Sequence, residues 1–212
     1  MLPTKEEMYA SLAERHGEEM QKRMAEASVA VCGLGGLGSN IAISLARAGV
    51  GRLHLIDFDR VDISNLNRQQ YTPAQLGQYK TDALKYTLGQ IAPYCEIVTD
   101  TVRLDAENIP QLLRDAPIIC EAFDRADAKA MLVNTVLEQL SGAYLVAASG
   151  MAGLDSGDSI RTRKVGKRFY LCGDGESDVA DGGGLFAPRV MLCAAHQALT
   201  VLRIIGGKTE KE

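Results

Sequence analysis

The sequence predicts an α/β fold: a Rossmann-like, mainly parallel, doubly wound sheet with an N-terminal helix and a C-terminal apolar helix. Three observations carry that prediction. Short apolar, β-branched runs alternate with segments of helical spacing along most of the chain. The first such run leads directly into Gly33-Leu34-Gly35-Gly36-Leu37-Gly38, where a helical pattern opens. The composition, 46% hydrophobic and 24% charged over 212 residues, suits one globular domain spanning 1–212.

Each element has its own local signal. Thr4 with Glu7 fits a capping box, and Met8, Leu12, Met20 and Met24 fall on one face, so the chain opens with a helix. Residues 29–32 read as a strand. After the glycines, Ser39, Ile41, Leu45 and Ala48 keep helical spacing up to Gly49 and Gly51. Residues 53–56 are a second strand ending in Asp57-Phe58-Asp59, which completes a βαβ unit. A polar stretch, 61–80, interrupts the alternation. Helical spacing resumes over 80–91, a strand comes next at 96–101, and a short helix at 109–113. Residues 117–123 and 143–149 read as buried strands on either side of a helix at 128–140. Residues 166–188 are dense in Gly and Asp and are expected to form a mobile surface loop. Pro188 suits the first turn of a last apolar helix reaching Ile205, and 208–212 form a frayed charged tail. No internal repeat or linker argues for a second domain.

Composition excludes several classes of partner. Lys plus Arg is 23 against 27 Asp plus Glu, a net charge of -4, so no basic excess points to nucleic acid or an anionic membrane. Trp is absent and aromatics are 5%, which weakens base stacking further. The longest uncharged stretch, 27–46, is broken by four glycines and reads as strand, loop and helix start rather than as a membrane span. No basic segment followed by an apolar core opens the chain. Five scattered cysteines read as reduced thiols, and the expected location is the cytoplasm.

The glycine loop is the first chemical anchor. Gly33, Gly35 and Gly38 meet the dinucleotide fingerprint between a strand and a helix, where backbone N–H groups and the helix dipole favour phosphate. Asp57 lies nineteen residues beyond Gly38 at the next strand's end, where a carboxylate holds ribose hydroxyls. The polar residues beyond Asp57 favour a triphosphate over a dinucleotide. Ser64-Asn65-Leu66-Asn67-Arg68-Gln69, Lys80 at a helix start and Asp124 at a strand's C-terminal end can all reach one crevice. A triphosphate needs cations for its oxygens and a carboxylate for Mg²⁺. Taken singly, Arg68 and Lys80 are ordinary surface charges and Asp124 a cap for the helix near Ala126. Their convergence is what carries weight. The histidines, His16, His54 and His196, show no triad or ligand spacing and read as structural.

The stretch 33–80, GLGGLGS…GVG…DFDRVDISNLNRQ…LGQYK, resembles the ThiF/MoeB/HesA family, bacterial relatives of ubiquitin-activating enzymes. The similarity runs over about residues 17–205 and is densest over 29–80. The tail APRVMLCAAHQALTVLRIIGG is most similar to the short thiamine-pathway ThiF branch. The resemblance implies ATP- and Mg²⁺-dependent adenylylation of the C-terminal Gly-Gly of a small ubiquitin-fold sulfur carrier, by a homodimer. It implies that Gly33, Gly35, Gly36 and Gly38 line the nucleotide, that Asp57 holds the ribose, and that Asp59 and Gln69 belong to the same binding set. Asn65 and Arg68 would contact phosphates, Lys80 would neutralise transition-state charge, and Asp124 would place Mg²⁺.

Three departures accompany it. No CxxC occurs, so the family's zinc site is not expected. The N-terminal arginine of many members has no counterpart near Tyr9, Arg15 being the nearest. Cys172 is the one candidate for a covalent link to the carrier, with a packed thiol as its plainer reading. The 166–188 loop is placed over the carrier's tail. Alternatives are the same chemistry on a molybdopterin carrier or another acid such as a modified tRNA base, an NAD-dependent oxidoreductase, and a nucleotide-sensing scaffold without turnover.

Overall fold

The structure, a computed structural model, describes residues 2–181 and 183–209. Seven strands form one sheet: β1 Ser28–Cys32, β2 Arg52–Ile56, β3 Glu96–Asp100, β4 Ile118–Glu121, β5 Tyr144–Ala148, β6 Arg161–Gly166 and β7 Phe169–Gly173. Their order is β3-β2-β1-β4-β5-β7-β6; only β6, at the edge, runs antiparallel. The helices are α1 Lys5–His16, α2 Glu18–Glu26, α3 Gly36–Arg47, α4 Lys80–Ile91, α5 Ile109–Leu112, α6 Ala126–Gln139 and α7 Ala187–Ile205. Two cores flank the sheet. On one face α3, α4 and α7 bury Ile41, Leu45, Leu84, Leu88 and Val201; on the other α5 and α6 bury Ile109, Leu132 and Val136. Both faces are covered, so the central strands are mainly apolar, as parallel sheets require, with Glu121 at the end of β4 a buried exception.

The chain runs outward from β1 through β2 to β3, then crosses to β4 on the other side of β1. That reversal leaves a crevice at the C-terminal ends of β1 and β4, where open α/β sheets take ligands. Among the described residues no helix is long and apolar enough to cross a membrane.

The doubly wound sheet is as the sequence implies, with two corrections. The N-terminal helix is two helices. Gly17, at φ 86°, ends α1 with its N–H on the Ala13 carbonyl and starts α2, although the methionine spacing runs through the break. The capping box of Thr4 and Glu7 is present. Second, 166–188 is not one loop. Its first part is β7, an interior strand between β5 and β6, and the irregular segment begins at Asp174. The Phe169-Tyr170-Leu171-Cys172 run carried that strand's signal, masked by the Gly/Asp density after it. The edge strand β6 is almost wholly exposed, so it lacks the alternation that marks a strand. Gly182 and the tail residues 210–212 lie outside the described residues.

Candidate nucleotide site

The glycine loop leaves β1 and enters α3 under tight constraint. Gly33 has φ 91°, and a Cβ there would stand 2.8 Å from the Ala122 carbonyl oxygen at the end of β4. A Cβ on Gly36 would crowd Val190 at 2.9 Å and the Arg68 stem at 3.4 Å. Gly38 serves packing instead: its Cβ would overlap the Gly33 carbonyl, and it does not line the cleft. Gly35 faces open space apart from Gln69 Nε2 at 3.7 Å. No side chain caps the start of α3, which leaves the amide dipoles there to an anion.

Asp57, at the end of β2, is buried. Its Oδ2 accepts from Leu34 N–H (2.6 Å) and its Oδ1 from Asp59 N–H (2.8 Å), so it ties the glycine loop to the β2 turn. Burial pushes its carboxyl pKa up, against the pull of Lys80 and the two N–H groups. Lys80 opens α4 with its ammonium 3.1 Å from Asp59 Oδ2. The lysine side chain is 7% exposed and the aspartate's 50%. Among the described residues one of three ammonium donors is engaged, which leaves two for a ligand.

The segment between β2 and α4 wraps back over α3. Asn40 Nδ2 donates to the Gly36 and Arg68 carbonyls, and Gln70 N–H to Ser39 Oγ. Asn65 Oδ1 accepts from Asp62 N–H in a short capped turn. Arg68 Nη1 donates to the Ser64 carbonyl (3.0 Å) and Asn67 Oδ1 (2.7 Å), which aims the guanidinium and leaves Nε and Nη2 without a partner among the described residues. Gln69 is buried beside Gly35, and its Oε1 has no hydrogen-bond partner among the described residues. Asp124 comes just after β4; its carboxylate is exposed and makes no hydrogen bond or ion pair among the described residues. It does not cap α6, whose N-cap is Arg125.

Gly33, Gly35, Gly36, Asp57, Asp59, Asn65, Arg68, Gln69, Lys80 and Asp124 line one cleft of about 700 Å³, and Gly38 does not; the size suits a nucleotide. Gly33, Asp57, Arg68, Lys80 and Asp124 thus meet at the crevice where the strand order reverses. The far wall is Ser149–Ala152 with Ser177–Val179, fixed by Arg189 of α7. That buried guanidinium donates to the Ala152, Asp155 and Ser156 carbonyls, Ser159 Oγ and Asp174 Oδ2. Burial alone would raise the Asp174 carboxyl; the Ser177 and Glu176 N–H groups, the Ser177 hydroxyl and Arg189 outweigh it and hold its pKa down to about 2.

Residues 9–212 match the ThiF family across nearly the whole chain. The chain belongs to the ThiF family. Among curated ThiF-type relatives it is 32% identical over 198 residues to the adenylyltransferase and sulfurtransferase UBA4 of Candida glabrata, covering 91% of this chain and 45% of that one. It is 38% identical over 119 residues to the sulfur carrier protein adenylyltransferase of Thermus thermophilus, covering 56% of this chain and 44% of that one. The chain thus spans under half the length of these two relatives. In fold it superposes on E. coli tRNA N6-threonylcarbamoyladenosine dehydratase TcdA, solved with ATP, at a TM-score of 0.87 and 21% identity over 98% of both chains.

The remaining sequence candidates lie elsewhere. Cys172 is wholly buried in β7, its Sγ 3.5 Å from Thr162 Oγ1 and 3.9 Å from Thr200 Oγ1, and burial raises its pKa. It is not on the Gly/Asp loop and does not line the cleft. Arg15 sits near the end of α1, away from the cleft. His54 pairs with Asp100 at 2.6 Å, while His16 and His196 bond Gln21 and Thr162. Among the described residues no three His, Cys, Asp or Glu side chains form a ready-made metal site. Sequence reasoning missed Lys129, Glu121 and the Arg189–Asp174 pair. For Lys129, Glu121 and Arg189 the signal was a charge within an apolar element, which spacing alone does not distinguish from a surface position; Asp174 lies in the Gly/Asp-dense segment after β7.

Proposed function

We propose that this protein is an adenylyltransferase that activates the C-terminal Gly-Gly carboxylate of a small ubiquitin-fold sulfur carrier with ATP. The observation that carries this reading is the convergence of two cations with unused donors and one unpaired carboxylate on a glycine cradle. Gly35 leaves room for the nucleotide, and Asp57, Asp59, Asn65 and Gln69 surround it. The carrier's carboxylate oxygen attacks the α-phosphorus, a P–O bond forms, and the bond to the β-phosphate oxygen breaks to release pyrophosphate. Carboxylates are ionised at neutral pH, so no general base is needed. Arg68 and Lys80 meet the negative charge that grows on the α-phosphate, already oriented by the Ser64–Asn67 turn and by Asp59. Asp124 fits Mg²⁺, which takes one or two carboxylates beside substrate phosphates; bound there, the ion would neutralise the triphosphate. The Ser149–Ala152 wall and the segment beginning at Asp174 would cover the carrier's extended tail.

Thiamine thiazole synthesis is the setting, in the cytoplasm, with a homodimer as the working form; the exposed Met191 and Leu199 on α7 offer an apolar face for such a contact. The test is ATP–pyrophosphate exchange with carriers ending in Gly-Gly. Wild type should exchange label only with a carrier present, and Asp124→Ala and Arg68→Ala should each lose about 10²-fold or more. Nicotinamide reduction or oxidation without exchange would overturn the reading in favour of a dehydrogenase.

A further inference from the structure

Strands β4 and β5 stop pairing before they end. Their ladder joins Ile118 to Tyr144, Ile119 to Leu145 and Cys120 to Val146. Yet β4 continues to Glu121 along β1, and β5 to Ala148 along β7. The two part at the C-terminal edge, where the cleft opens, and main-chain groups on the facing sides lose their ladder partners. Buried polar groups must be satisfied, and three side chains satisfy these. Ala148 N–H donates to Glu121 Oε2 (3.4 Å), and the Ala148 carbonyl accepts from Lys129 Nζ (3.1 Å). Gln197 Nε2, from α7, donates to the Glu121 and Val146 carbonyls at 2.9 and 3.1 Å. Lys129 also reaches both Glu121 carboxylate oxygens at 3.1 Å. Glu121 Oε1 accepts from Phe123 N–H (2.7 Å), the residue before Asp124.

Lys129 lines the cleft, but its three donors already meet three acceptors, so it has none to offer a phosphate. We propose that Glu121, Lys129 and Gln197 form a polar bridge that holds the parted ends of β4 and β5 at a fixed spacing and so positions the Asp124 carboxylate for Mg²⁺. This rests on the adenylyltransferase reading. Lys129 is a positioning residue: it acts through Glu121 and Phe123 on Asp124. Mg²⁺ demands near-ideal octahedral geometry, so a small displacement of Asp124 weakens metal-dependent binding before it weakens nucleotide binding.

ATP binding measured by titration calorimetry, with excess Mg²⁺ and again with a chelator, tests this in wild type, Lys129→Met, Lys129→Arg and the double variant Glu121→Gln/Lys129→Met, with melting curves alongside. Lys129→Met should bind ATP about tenfold more weakly in Mg²⁺ and within about twofold of wild type without it. Lys129→Arg should restore the metal effect to within about threefold, because a guanidinium fork spans both carboxylate oxygens. The double variant leaves no unpaired buried charge, so it should melt close to wild type and keep the Mg²⁺ defect. A double variant with wild-type Mg²⁺ dependence, or equal losses with and without metal, overturns the bridge. Wild type that binds no ATP in either condition overturns the adenylyltransferase reading and the bridge with it.

Discussion

Replacing Lys80 with methionine should slow carrier adenylylation about 10²- to 10³-fold and leave ATP affinity within about threefold. The size comes from the geometry. The ammonium is nearly enclosed, so it acts in a medium of effective dielectric near 20, where a unit charge about 4 Å away contributes about 4 kcal/mol. Asp59 offsets part of this, but it is half exposed and screened by water. About 3–4 kcal/mol then falls on the charge that develops at the α-phosphate, and each decade of rate is about 1.4 kcal/mol. Methionine keeps the apolar stem, and the stranded Asp59 returns to solvent at a cost of about 1 kcal/mol or less. Pyrophosphate exchange gives the rate, calorimetry the affinity, and a melting curve the fold. A variant that exchanges label within about threefold of wild type while its ATP affinity collapses would refute the reasoning: Lys80 would then bind the ground state only.

Separate parts of the molecule yield three further expected outcomes. Gly33→Ala should abolish ATP binding and lower stability by at least about 1–2 kcal/mol, since a Cβ there meets both a positive φ and the Ala122 carbonyl; a well-folded variant that binds ATP would show that the loop has slack. Asp174, at about 2 in the folded chain against about 3.9 unfolded, contributes stability that is complete above about pH 5 and is lost as pH falls from about 4 toward 2. Acid denaturation of Asp174→Asn should therefore be shallower through that window, and a wild-type-like slope would count against the Arg189 network. A thiol reagent at pH 8 should leave Cys172 unmodified in the folded protein, as with Cys193, whose pKa is raised to about 12, while all five free cysteines react in denaturant; fast native labelling of Cys172 would contradict its burial.

Much of the fold was legible because its signals are local. The spacing that predicts a helix over 80–91 is met by α4 at the same bounds, and the apolar run after Pro188 by α7. The βαβ unit was legible for the same reason: two apolar runs bracket a glycine turn that few other conformations accept. Other parts depend on partners far along the chain. Strand β6 pairs only with β7, and its charged, exposed residues carry no alternation to read. The break at Gly17 needed a choice between helix continuation and a C-cap, which side-chain spacing on either side does not make. At the site, sequence placed Asp57, Lys80 and Asp124 at element ends and Arg68 in the polar stretch just past Asp57, and element ends converge in a doubly wound sheet. It had no means of separating Lys80, with donors to spare, from Lys129, whose donors are all engaged by groups at positions 121 and 148.

That distinction also decides how much the glycine fingerprint is worth. Gly33, Gly36 and Gly38 would be required here with no ligand at all, because Ala122, Val190 and the Gly33 carbonyl occupy the space a Cβ would take. Only Gly35 looks out on open volume. The glycines therefore report a close crossing of β1, α3, β4 and α7, which dinucleotide and triphosphate sites share equally. What the described residues do not use is different: two donors on the Lys80 ammonium, the outer half of the Arg68 guanidinium, and both oxygens of Asp124. Groups held in one cleft by other parts of the chain, yet unspent among the described residues on packing or on one another, are open to a ligand. Two cations and a carboxylate together suit a metal-bound triphosphate better than a nicotinamide.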